Sequence, residues 1–119
     1  MRGLAVIFLC LANAANAQSL LDRIQGLYYP DMPGTRWDCQ SVAADGGALA
    51  VRGDQLIGVE TFCTLHNPFP IPGMDAIRFE RSCNAEGSSY DPGPIILSPG
   101  EDGLLLLSEE LVSRWLRCP

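Results

Sequence analysis

The chain has no lysine, a single histidine and no apolar run as long as the roughly 20 residues of a membrane-spanning helix. Each shortage closes a route. Without lysine there is no Schiff-base chemistry. With His66 as the sole imidazole, serine–histidine catalysis must pass through it, and no G-x-S-x-G elbow accompanies it. Phosphate-binding and dinucleotide glycine motifs are missing, so no nucleotide cofactor, nor any other, is expected. Close C-x-x-C pairs are missing as well, which argues against zinc and against a metal site in general.

What is present begins with an export signal. Arg2, the apolar run from Leu4 to Ala12 and the small-x-small end Ala15-Asn16-Ala17 come in signal-peptide order. Cleavage is expected after Ala17, with Ala14 as second choice, so residues 1–17 form a leader and 18–119 a single domain of 119 − 17 = 102 residues. The five cysteines agree. Cys10 leaves with the leader, and Cys39, Cys63, Cys83 and Cys118 remain. An even number in a short exported chain predicts two disulfides and a periplasmic or secreted location. The formal charge of −6 becomes −7 once Arg2 is removed. Such an acidic surface turns away nucleic acid and anionic membranes, and a basic periplasmic protein is the partner whose charge fits it. No stable membrane insertion is expected of the mature domain, and no signal for an oligomeric state is present.

Along the mature chain the apolar residues mark short strands. Ser19 to Gly26 predicts a short helix capped by Ser19. Two prolines and a glycine keep Tyr28–Gly34 out of that helix, and Thr35–Cys39 is the first expected strand. Leu49 and Val51 alternate with smaller or polar neighbours, Gly53-Asp54 makes a two-residue turn, and a return strand runs from Gln55 to about Thr64. His66–Gly73 reads as a proline-spaced loop. Asp75–Cys83 returns as a strand with Ile77, Phe79, Arg81 and Cys83 on one face. Ser88–Gly93 reads as polar loop, and Pro94–Ser98 and Leu104–Leu107 as apolar strands. The C-terminal segment fits helix or strand, and strand is preferred because it would close a sheet. Six or seven strands predict a mainly β domain: a small antiparallel β-sandwich or barrel with a short N-terminal helix and two disulfides.

Three disulfide pairings are possible. If Gln55–Thr64 and Asp75–Cys83 form a hairpin, Cys63 lies beside the loop and Cys83 at the far end, roughly 23 Å away at about 3.3 Å per residue. A bridge needs Cα atoms about 4.4–6.8 Å apart. Cys39–Cys63 with Cys83–Cys118 is therefore the expected pairing, and Cys39–Cys83 with Cys63–Cys118 the alternative.

Two features suggest chemistry. Glu60 and Glu80 each stand three residues before a cysteine, and on neighbouring strands two carboxylates can reach glycosidase spacing. The expected register instead turns them to opposite faces, where Arg52, Arg78 or Arg81 can pair with them. No catalytic residue is assigned. The proline loop is the stronger candidate: Phe69, Ile71 and Met74 are apolar side chains on a stiffened segment, which loses less entropy on binding.

The layout of signal peptide, Trp37-x-Cys39, Glu60-x-x-Cys63, Cys83 followed by Glu86-Gly87, and closing Arg117-Cys118 resembles small exported bacterial proteins of unassigned function. More loosely it is similar to periplasmic lysozyme inhibitors, small disulfide-bearing β-barrels, but their Ser-Gly-containing inhibitory motif is not found here and Ser88-Ser89-Tyr90 is a poor substitute for it. The expectation is an exported, non-enzymatic binding domain, an inhibitor or binder of a cationic envelope protein. The alternatives are a carboxylate-dependent hydrolase using Glu60 or Glu80, and a structural envelope component.

Overall fold

The computed structural model describes residues 17–119, so the expected leader, apart from Ala17, lies outside the described residues. Residues 17–23 form a helix, α1. Nine strands follow: β1 (Gly26–Pro30), β2 (Leu49–Arg52), β3 (Gln55–Gly58), β4 (Thr61–Pro70), β5 (Ile77–Ala85), β6 (Ser88–Tyr90), β7 (Ile95–Pro99), β8 (Gly103–Leu107) and β9 (Val112–Arg117). Eight of them close into an antiparallel, up-and-down barrel. Each strand pairs with its successor, β5 passes over β6 to reach β7, and β9 returns to β1. β6 lies outside the ring, paired with the end of β5. The expected β fold with two disulfides and a short helix is therefore realised as a barrel.

Strict alternation decides which side chains enter the barrel. Tyr28, Leu49 and Val51, Leu56, Cys63 and Leu65, Ile77 and Phe79, Leu97, Leu104 and Leu106 are buried and share the inner face through their registers. The outer face carries Arg52, His66, Arg78, Glu80 and Arg114, all exposed. The same face also carries the exposed apolar residues Phe62, Leu105 and Val112.

One end of the ring is filled by α1. Leu20 and Ile24 are buried in the same cluster as Tyr28, Ile77, Leu97 and Leu104. The end of the helix leaves carbonyls without helical donors, and the barrel supplies them. Tyr28 donates its hydroxyl to the Ile24 carbonyl at 2.6 Å. Arg117, opposite Tyr28 on β9, donates Nη1 to the Gln25 carbonyl at 3.0 Å and Nη2 to the Arg23 carbonyl. Its guanidinium lies 5.1 Å from the Tyr28 ring centroid, a cation–π contact. Burial raises the Tyr28 pKa, and the Arg117 charge partly opposes this. Gly26 is required here: its φ is +145°, and an added Cβ would come within 2.7 Å of Arg117 Nη1. Gln25 clamps the β2–β3 turn by exchanging two hydrogen bonds with the Gly53 backbone, at 2.7 and 3.0 Å.

Several expectations are corrected. Ser19 is helical and so is not a cap. Thr35–Cys39 is not a strand; the first strand is Gly26–Pro30, with Pro30 at its very end, where a missing N–H costs least. The return strand from Gln55 breaks at Val59-Glu60, where Glu60 takes φ +51° and its N–H donates to the Ala43 carbonyl at 2.8 Å. Most of the expected proline loop, His66 to Pro70, is strand, because β4 continues to Pro70 through a bulge between His66 and Phe69. Ser88–Tyr90 is a strand, not a loop.

The longer β4 overturns both expected cysteine pairings. With the hairpin tip moved to residues 71–76, Cys63 stands directly opposite Cys83. The bridges are Cys63–Cys83 and Cys39–Cys118, with Cα atoms 4.0 and 5.8 Å apart. Two disulfides fit an oxidising, extracytoplasmic environment. Cys39–Cys118 ties the irregular segment 31–47 to the end of β9. That segment is ordered locally by Asp38, whose carboxylate accepts the Gln40 and Ser41 N–H groups at 2.8 and 2.9 Å and the Ser41 hydroxyl at 2.7 Å. These bonds hold the Asp38 pKa below the ordinary aspartate value.

Candidate functional site

At the end away from α1 the inward positions are smaller or more polar. Gly58, Thr61, Ser108 and Ser113 stand where large side chains would be needed to fill the ring, and a cavity of about 380 Å³ remains. Its walls are Leu56, Ile95, Leu106 and Trp115 together with the Cys63–Cys83 bridge. Tyr90, Leu111 and Val112 are exposed apolar residues at this end. Small-molecule pockets are typically apolar hollows of about 300–1,000 Å³ with a few polar groups, and barrel mouths are a common place for them.

Two charged groups line the cavity: Glu110, on the β8–β9 connection, and Arg81, on β5. Arg81 enters because it continues the inward series Ile77, Phe79, Arg81, Cys83. It also stands at a seam in the wall. β5 pairs with β7 through Ile77–Phe79 and with β6 through Cys83–Ala85, so residues 80–82 lie between the two pairings. The segment Asp91-Pro92-Gly93-Pro94 passes this gap with two residues that lack an N–H. Arg81 bridges it, donating Nε to the Gly93 carbonyl at 3.0 Å. Burial lowers the Arg81 pKa and Tyr90 opposes the shift, but a guanidinium stays protonated at physiological pH. Arg23 and Arg114 form ion pairs with aspartates; among the described residues Arg81 forms none.

Apart from Cys63 and Cys83, the residues singled out from the sequence do not meet in this cavity. Phe69 is exposed on β4 opposite Arg78, Ile71 is half-buried, and Met74 is exposed in the β4–β5 connection. All three lie at the α1 end. Glu60 occupies the β3–β4 turn at the open end, whereas Glu80 faces outward opposite His66. Six strand positions, roughly 20 Å, separate the two, well beyond the roughly 5–9.5 Å between glycosidase carboxylates.

One chemical pair was not anticipated. His66 Nε2 lies 3.1 Å from the Ser82 hydroxyl on the outer surface. A working triad also needs a group that orients the imidazole. Glu80 is the neighbour placed to do so, but its Oε2 accepts from Asn67 at 2.7 Å, and both His66 and Ser82 are exposed to solvent.

Arg81, expected with Arg52 and Arg78 as a partner for Glu60 or Glu80, instead lines the cavity, and none of the three arginines forms an ion pair with either glutamate among the described residues. The signal of Arg81 was a charge on an otherwise apolar strand face. Comparison of the chain with protein-family models, curated proteins and solved structures finds no match.

Proposed function

We propose that the protein is an exported binding domain, periplasmic or secreted, that takes a small, mainly apolar molecule into the open end of its barrel. The observation that carries this reading is the cavity of about 380 Å³, walled by Trp115, Leu106, Ile95 and a disulfide. A rigid, cross-linked wall suits binding, because little order has to be gained when a ligand enters. The test is amide NMR of the oxidised protein titrated with a library of small apolar compounds. Shift changes are expected at Leu106, Ser113 and Trp115 and not at Phe69 or Met74. Changes centred on Phe69 and Met74, or none at all, would end the reading.

A second reading keeps a cationic protein as the partner. It is favoured by exposed Glu60, Glu86, Glu109 and Glu110 on the connections at the open end. Capture of a basic protein from periplasmic extract at low salt, lost at high salt, is its expected signature. Capture that ignores salt would count against it.

A further inference from the structure

We infer that Arg81 makes the barrel cavity selective for small amphipathic anions, a carboxylate on an apolar body, over neutral or cationic molecules of the same body. The inference rests on the reading of the cavity as a binding site. Arg81 is half-buried, so its charge is solvated on one side, and water lost from it when a ligand enters the cavity is best replaced by an anionic acceptor. Among the described residues only Nε of Arg81 is hydrogen-bonded, to Gly93, and no carboxylate pairs with it. The planar fork of an arginine matches a carboxylate with two parallel N–H···O bonds. The surfaces around it, Leu56, Ile95, Leu106 and Trp115, suit an alkyl or aromatic body.

The competing charges are carboxylates. Glu110 lines the same cavity from the β8–β9 connection, and Glu80 and Asp91 line, with Arg81, a groove on the outer wall. All three are solvent-exposed. Exposed charges are screened by salt within a Debye length of about 8 Å, whereas a charge met at contact in a partly desolvated cavity is screened far less. Contact with Arg81 therefore outweighs the acidic rim in setting which ligand is held, while the rim slows the approach of an anion.

The test is calorimetric titration of the oxidised protein with octanoate, 1-octanol and octylamine, three ligands that share an alkyl body and differ in charge. Octanoate is expected to bind about tenfold or more tighter than octanol, and octylamine most weakly. In Arg81→Met the advantage of octanoate should vanish while octanol affinity stays; Arg81→Lys should keep part of it. Octanoate no tighter than octanol, or an advantage that survives in a folded Arg81→Met variant, overturns the inference and leaves the cavity reading standing. Octylamine binding most tightly also overturns it, with Glu110 as the anchor. Binding of none of the three by the unaltered protein removes the cavity reading, and this inference with it. If Arg81→Met does not fold, the order of the three ligands on the unaltered protein decides.

Discussion

The two ends of this barrel are built from the same eight strands, yet one is filled and the other hollow. At the filled end a helix brings in Leu20 and Ile24, and the inward strand residues are Tyr28, Ile77, Leu97 and Leu104. At the hollow end the inward residues shrink to Thr61 and Ser113, with Gly58 and Ser108 beside them. An eight-stranded ring is just wide enough for side chains to fill it or for one small ligand to occupy it. The choice between the two lies in a handful of residue sizes and in whether another element covers the opening. Polar bonding separates the ends too: Arg117 is spent on helix carbonyls, while its counterpart in the cavity, Arg81, forms no ion pair among the described residues.

Each end also has a disulfide, and removing them should break the comparison most strongly. Cys39–Cys118 spans 79 positions at the filled end, and Cys63–Cys83 spans 20 in the wall of the hollow end. Loop-closure entropy assigns about 4.5 kcal/mol to the first and about 3 kcal/mol to the second. Urea unfolding of the two double-serine variants should show that order; the reverse order would mean that restraint of the cavity wall matters more than the loop closed. Next in size, Ile24→Ala should cost about 2–5 kcal/mol, against less than about 0.5 kcal/mol for Leu111→Ala at the open rim. Equal losses would show that the rim is packed in solution. Arg117→Met should cost about 2 kcal/mol by stripping charged donors from the helix end, with no effect on ligand affinity at the far mouth. The smallest effect concerns acid. Because hydrogen bonds depress the Asp38 pKa, its stabilising contribution is present above the ordinary aspartate range near pH 4 and is lost as pH falls through the lowered folded value. Amide NMR of residues 38–41 should follow that loss, and Asp38→Asn should flatten it.

Strands with turn chemistry at their ends were legible in the sequence. Gly53-Asp54 announced the β2–β3 hairpin, and Pro99 to Gly103 announced β7–β8. The turn at Val59-Glu60 was not legible, because its positive φ falls on a glutamate rather than a glycine or asparagine. That omission merged β3 with β4. The extension of β4 through the proline-rich stretch to Pro70 moves the hairpin tip, and the bulge at His66–Phe69 then adjusts the register by one residue, which brings Cys63 opposite Cys83. The cavity was barely legible, since it is an emptiness shared by strands far apart in the chain. Only Arg81 betrayed it, as a charge where the alternation called for an apolar residue.

The seam between β9 and β1 has a consequence for how the molecule comes to exist. Tyr28 pairs with Arg117, so the first strand of the ring waits for the last. Seven strands can line up as an open meander during synthesis, but the hoop cannot be fastened until the ribosome has released almost the whole polypeptide. Contacts of such long sequence separation are slow to form. A chain closed by its two terminal strands therefore cannot lock until its synthesis is nearly complete.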